Sequence, residues 1–347
     1  MTARIRVLTG HRPTGPRHIG HLVGTLQTWV DLQNSHDCFF LVADFHVLTT
    51  NETINNLRHN TIEMVLDWLA AGIDPARSTL IVQSAIPEHA VLGLLLGMLA
   101  PVSRLERVPT YKEHIQTLRL NPSLGLLAYP VLQAADILLY RSTTVPVGED
   151  QLPHLELARE LARRFNMLYG IIFPEPQPRL SRMPRLPGID NRTMHTSYNN
   201  AIYLRDTPAV TESKVMQMYT DPNRIRTTDR GQVAGNPVFT YLDLFHSDKD
   251  LVVDLKSRYT AGKIGDVAVK QILVTALNAY LAPLRQRRSE LAAHPDDLWD
   301  FLHQGTERAR PIARETLESV YAAIGLTGRA LSRDTTIHPT VMSGLFC

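Results

Sequence analysis

Two cysteines in 347 residues are too few for a disulfide framework, and Cys38 in an apolar run and Cys347 at the last position show no metal-ligand spacing. A reducing compartment fits, and no protein metal site is expected. Charge of one sign is equally scarce. Lys plus Arg number 36 against 34 Asp plus Glu, a net charge of +2, so no global basic field announces a nucleic acid. An RNA would have to be held by a local patch. No stretch reaches the roughly 18 uninterrupted apolar residues of a membrane span, and the first residues lack a charged segment followed by a long apolar one. The expectation is a cytoplasmic protein with no membrane partner. Internal repeats and low-complexity tracts are missing too. What remains is an ordinary globular composition, 44% hydrophobic, in a chain long enough for two domains.

Chemistry concentrates first in residues 12–24, Arg-Pro-Thr-Gly-Pro-Arg-His-Ile-Gly-His-Leu-Val-Gly. They follow a short apolar run and lead into a helical period carried by Leu22, Leu26, Trp29 and Val30, which reads as strand, tight turn, helix. Gly15 and Gly20 let the backbone approach a ligand closely, and free N–H groups at a helix start suit phosphate. His18 and His21, three residues apart, share one face of that first turn.

Residues 38–43 form a continuous apolar run, as in a strand buried on both faces, and Asp44, Phe45 and His46 then fall at its carboxyl end, where open α/β sheets bind ligands. A helical pattern over 53–71 stops at Gly72, a strand is expected over 78–82, and Pro87 opens a Leu-rich helix. This alternation predicts an α/β fold, a Rossmann-like parallel sheet covered by helices. Residues 124–140 read as an apolar helix broken near Pro130 with one acid, Asp136. Such a carboxylate needs a donor or a shifted pKa, and the donor comes either from the core or with a substrate. Next, a strand runs into Gly148-Glu149-Asp150-Gln151, polar groups suited to a ribose or an amine, and a helix follows over 152–164.

Five prolines between 173 and 188 (Pro174, Pro176, Pro178, Pro184 and Pro187) predict an extended linker and a domain boundary. Helical patterns over 211–219, 238–245, 251–259, 267–285 and 298–324 predict a helical second domain. Its Arg285, Arg287 and Arg288 form a basic cluster of the kind usually found on solvated surface. The expected division is a nucleotide and amino-acid binding domain over 1–188, a loop and linker over 189–205, the helical domain over 206–326 and a loose tail over 327–347.

His18-Ile19-Gly20-His21 after the first strand resembles the signature of class I aminoacyl-tRNA synthetases. Four further segments resemble bacterial-type tryptophanyl-tRNA synthetases: Asp44-Phe45-His46, Tyr111-Lys112-Glu113, Tyr129-Pro130 with the run from Ala134 to Tyr140, and Val145 to Gln151. The likeness runs from the first strand to about Leu326. It implies tryptophan, ATP and tRNA(Trp) as substrates, Mg2+ arriving with ATP, a homodimer, and a helical domain that contacts the anticodon. His18, His21 and Lys112 would be catalytic. Arg12, Pro13, Thr14, Gly20, His21, Gly148, Glu149, Asp150 and Leu186 would surround ATP, together with the loop of Thr193, Met194, His195, Thr196 and Ser197. Asp136 would accept the indole N–H, Tyr129 and Gln151 would hold the amino end, and His46 and Gln133 would border the ring. Gln133 stands where many of these enzymes carry Met, which leaves a tyrosine-specific relative as an alternative.

The loop departs from the family, whose Lys-Met-Ser-Lys-Ser becomes Thr193-Met194-His195-Thr196-Ser197 here. Both lysines that follow the pyrophosphate are absent. One preorganised donor is worth about 10² to 10³ in rate, so a slowed ligase is expected, with Arg192, His195, Arg12 or Lys112 sharing the load. The alternative is a paralogue that binds tryptophan and ATP without charging tRNA.

Overall fold

The computed structural model describes residues 5–49, 55–118, 122–180, 186–222 and 224–326, and the tail expected over 327–347 lies outside them. Five parallel strands form one sheet: β1 (Arg6–His11), β2 (Asp37–Val42), β3 (Thr79–Val82), β4 (Thr144–Val147) and β5 (Gln177–Leu180), in the order β3-β2-β1-β4-β5. Successive side chains of a strand point to opposite faces. Val7, Phe40 and Val42 accordingly enter one core with Trp29 and Trp68, while Leu8, Phe39 and Leu41 enter a second core on the other face. Arg6 lies opposite Asp37 and His11 opposite Val42, so β1 and β2 finish together. The chain builds outward from β1 to β3, then crosses to the other side of β1 to lay down β4. That reversal is the switch point at which open α/β sheets bind ligands.

The proline-rich stretch differs from expectation, because Gln177–Leu180 within it is the fifth strand, with Pro178 opposite Val145. An edge strand tolerates a proline since one side of it needs no ladder bond. Pro130 also behaves differently. The helix α7 (Leu124–Leu139) runs through it unbroken. Its neighbours α4 (Glu88–Gly97) and α8 (Leu152–Tyr169) pack on both sides, closely enough that a Cβ on Gly93 would lie 3.3 Å from Leu132 Cδ1. Tight packing on two flanks outweighs one missing N–H.

The remaining chain is helical, with α9 (Pro208–Met216), α10 (Pro237–Phe245), α11 (Lys249–Thr260), α12 (Asp266–Ala292) and α13 (Pro295–Ile324). By length and composition α12 could cross a membrane, but Leu273, Leu277 and Leu281 are fully buried in the core it shares with α3 (Leu57–Ala71) and α9. The last helix, α13, returns to the sheet. A Cβ on Gly305 would lie 2.0 Å from the Leu80 carbonyl oxygen, and Thr306 Oγ1 accepts the Val82 amide at 3.2 Å. Ala309 and Ala313 enter the same core as Phe39.

The basic cluster is only partly solvated surface, since Arg287 is exposed but Arg285 and Arg288 are half-buried, and all three are partnered. Arg287 Nε donates to the Ala70 carbonyl at 2.9 Å, Arg288 pairs with Asp67 and Glu63, and Arg285 donates to Asn278 and Thr211. These arginines tie the helical region to α3 and to itself, which helical periodicity alone could not reveal.

Candidate active site

At the carboxyl end of β1 the chain turns through residues 12–18 into α1 (Ile19–His21), which continues through a π-helical turn (Leu22–Leu26) into α2 (Gln27–Leu32). Gly15 has φ +121°, a conformation only glycine adopts without strain. Arg17 folds back over it, donating from Nη2 to the Gly15 carbonyl at 2.6 Å and to Thr14 Oγ1 at 3.3 Å. Pro13 is buried, while Arg12 and Thr14 are exposed. The Arg17 carbonyl accepts the Leu204 amide, and the Ile19 amide donates to the Ile202 carbonyl.

The rings of His18 and His21 lie 3.8 Å apart, and His11 meets His21 edge-on at 5.3 Å. The indole N–H of Trp68 donates to His11 Nδ1 at 3.1 Å, so the His11 proton sits on Nε2, which faces Thr25 Oγ1 at 3.3 Å. The Thr25 hydroxyl in turn donates to the His21 carbonyl at 2.7 Å. Burial first, then the neighbouring Arg17 and His195, pushes the His18 pKa down to about 3. His21 and His11 are lowered for the same leading reason. At neutral pH the three imidazoles are therefore uncharged hydrogen-bonding groups. His18 Nδ1 is buried without a hydrogen-bond partner.

A Cβ on Gly20 would lie 2.9 Å from that nitrogen and 3.4 Å from Met194 Sδ. The stretch 193–197 thus rests against the turn. Met194 and Leu186 are each 5% exposed and pack inward, and the Met194 amide donates to the Leu186 carbonyl. Thr193, His195 and Thr196 are exposed, and Ser197 lies in the short helix Thr196–Tyr198. Asn200 holds the stretch in place, accepting the His195 amide at 2.9 Å and donating to Asp190 and to the Thr193 carbonyl. Arg192 is tied to Asp190 at 2.6 Å, so its charge is already partnered.

The acid of α7 does not lack donors. Asp136, 3% exposed, accepts from His46 Nε2 at 2.9 Å, from His89 Nδ1 at 2.7 Å and from Gln83 Nε2 at 2.8 and 3.0 Å. His89 Nε2 reaches the Tyr140 hydroxyl at 2.9 Å. Burial alone would raise the Asp136 pKa, but the His46 and His89 hydrogen bonds outweigh it and hold the carboxyl below the usual range. Of the two sources left open for its donors, the core already supplies three groups. A carboxylate has about four acceptor directions, and these four bonds match them, so a further donor would have to take over one of the two that Gln83 holds.

Tyr129 connects the two halves. Its ring meets His46 edge-on at 6.4 Å, its hydroxyl touches Thr110 and lies 3.0 Å from His154 Nε2, and Arg12 is its electrostatic neighbour. Lys112 is exposed on α6 (Pro109–Leu118), the helix that carries Thr110. Beyond β4, Gln151 donates to Asp150 at 2.9 Å and Gln133 reaches Gln151 Oε1 at 3.4 Å. Glu149 and Asp150 are exposed, and a Cβ on Gly148 would lie 2.7 Å from Asp150 Oδ1. Among the described residues no group of three His, Cys, Asp or Glu side chains could hold a metal ion. Sequence reasoning missed Gln83, His89, His154, His11 and Arg17. The rule that led to His46 could have found Gln83, which directly follows β3.

A parallel sheet in this order, with a His-Ile-Gly-His turn after β1 and a polar Gly-Glu-Asp-Gln segment after β4, defines the catalytic core of a class I aminoacyl-tRNA synthetase. The family model for class I tRNA synthetases (W and Y) matches residues 1–282, and the chain belongs to that family. A tryptophan–tRNA ligase of Chlamydia caviae is 46% identical over 96% of this chain and 99% of its own length. One from Treponema pallidum is 47% identical over 94% and 98%. The crystal structure of tryptophanyl-tRNA synthetase from Campylobacter jejuni complexed with ADP and tryptophan superposes with a TM-score of 0.83 at 33% identity, covering 93% of this chain and all of that one.

Proposed function

We propose that this protein is a tryptophan–tRNA ligase that activates tryptophan with ATP to the adenylate and transfers it to tRNA(Trp). The observation that carries the reading is Tyr129, which joins the phosphate-suited turn of Arg12, His18 and His21 to the buried acceptor Asp136 with its His46, His89 and Gln83 donors. Full-length likeness to ligases of this specificity supports it. Asp136 would take the indole N–H in place of one of its two Gln83 contacts. A site built to pair a substrate N–H rejects analogues lacking it by roughly 10⁴ to 10⁵ in favourable cases.

Tyr129 and Gln151 would hold the amino group, leaving the carboxylate to attack the α-phosphate. His18 and His21, uncharged at neutral pH, would stabilise the phosphates by hydrogen bonding rather than as cations. Arg12 and Lys112 would supply positive charge, and the ribose would lie along Gly148, Glu149 and Asp150. Mg2+ would enter with the nucleotide, held by its phosphates. With Thr193 and Thr196 in place of lysines, the loop would meet the pyrophosphate through Arg192 and His195, and adenylation would be slow. Apolar side chains exposed on α4 and just beyond it (Leu94, Met98 and Val102) would lie between two copies of a cytoplasmic homodimer.

Tryptophan-dependent exchange of pyrophosphate into ATP tests the first half-reaction, and charging of tRNA(Trp) tests the second. No exchange by folded protein that binds both ligands refutes the enzyme reading. Exchange without transfer favours the non-charging paralogue, which the missing lysines make the second reading. Exchange with tyrosine in place of tryptophan would reassign the amino acid.

A further inference from the structure

One face of α3 gathers three segments that are far apart in the chain. Glu63 and Asp67, four residues apart, share that face. Asp67 is fully buried; its Oδ2 accepts the Arg17 amide at 2.5 Å and its Oδ1 accepts Arg288 Nε at 2.8 Å. Glu63 Oε2 accepts Arg288 Nη2 at 2.7 Å and Arg205 Nη1 at 3.1 Å. Arg205 directly follows Leu204, whose amide donates to the Arg17 carbonyl. The turn before His18, the segment beyond the 193–197 loop and α12 of the helical region therefore meet on one turn of one helix.

A buried ion pair is poor evidence for stability, because well-packed apolar side chains often serve as well. Burial indeed raises the Asp67 pKa, with Arg288 and the Arg17 amide opposing it. An apolar pair could not offer an acceptor to the main-chain N–H one residue ahead of His18. That peptide sets where the His18 imidazole stands, and small misplacements of such groups cost rate steeply. We propose that Asp67 is a positioning residue for adenylation: it fixes the main chain at Arg17, and with it His18, while Arg288 of α12 balances its buried charge. The proposal rests on the ligase reading.

The test compares two double variants. Asp67→Asn with Arg288→Met removes both charges but keeps an amide oxygen for the Arg17 N–H, whereas Asp67→Leu with Arg288→Met removes the acceptor as well. With similar urea midpoints, the first should hold the exchange kcat within about threefold of wild type, and the second should lose about tenfold or more with its KM for tryptophan unchanged. Equal kcat for the two folded variants overturns the proposal. Hydrogen exchange on the unaltered protein decides it even where a variant does not fold, since the Arg17 amide should be protected like those of β1. Exchange as fast as at exposed loop amides overturns it. Absence of pyrophosphate exchange by wild type would instead refute the ligase reading on its own.

Discussion

Replacing Asp136 with Asn separates the acid's structural work from its proposed substrate contact. Removing the side chain entirely, as in Asp136→Ala, would orphan the donors from His46, His89 and Gln83. At about 1 to 3 kcal/mol for each buried unpaired group the loss is about 3 to 9 kcal/mol. A total stability of about 5 to 15 kcal/mol cannot absorb that safely, so the Ala variant would report on folding rather than binding. Asn keeps the shape. Its oxygen accepts from Gln83 and His46, and its NH2 can donate to His89 Nδ1 once the His89 proton moves to Nε2, where the Tyr140 hydroxyl accepts it. What changes is that charge-assisted bonds become neutral ones, a cost of about 1 to 2 kcal/mol. Urea unfolding at pH 7 should show that loss. The KM for tryptophan in pyrophosphate exchange should rise about tenfold, since 1.4 kcal/mol is a factor of ten. The wild-type carboxyl has a lowered pKa, so its stabilising effect is full above the unfolded value near 4 and is lost as pH falls through the folded one. The Asn variant should lack that acid limb. An Asn variant as stable as wild type with unchanged tryptophan KM would show that the charge of Asp136 matters neither to the core nor to the substrate.

Four further outcomes are expected. His11, His18 and His21 are held neutral below an unfolded pKa of about 6.5, so stability should be full above that pH and fall on acidification toward the folded values, by up to about 1.4 kcal/mol per pH unit per group; flat urea midpoints from pH 7 to 4.5 would contradict this. Gly20→Ala forces a Cβ against His18 Nδ1 and should lower the exchange kcat by up to about 10² with little change in fold, read from kinetics and circular dichroism together. Thr196→Lys returns a cation to the loop over the turn, and pyrophosphate exchange should quicken by about tenfold or more, within the 10² to 10³ one donor can supply; an unchanged rate would mean that other groups already carry that charge. Gly305→Ala drives a methyl into the Leu80 carbonyl and should destabilise by about 1 to 3 kcal/mol in denaturant titrations without altering KM for either substrate.

Local patterns were legible where one residue type has one physical use. Continuous apolar runs mark β2 and β3, a proline opens α4, and glycines with two histidines mark a ligand-facing turn. Prolines misled where packing overrode them. Pro130 lies inside α7 because α4 and α8 clamp it, and Pro178 sits in β5 because an edge strand has a spare side. The arginines of α12 looked like solvated surface because a helix pattern records periodicity, not what a neighbouring helix offers; α3 offers Glu63, Asp67 and the Ala70 carbonyl.

Sequence by itself determined the sheet class, the turn after β1, the lone acid of an apolar helix and the loss of two lysines, since each is a property of neighbouring letters. Only the tertiary structure decided who partners that acid, that three imidazoles stand uncharged together, and that α13 closes over the sheet. Those depend on contacts such as Gln83 with Asp136 or Arg17 with Asp67, which join positions about fifty residues apart. No local period encodes them; they appear only when the fold removes water and leaves each buried polar group to find its partner.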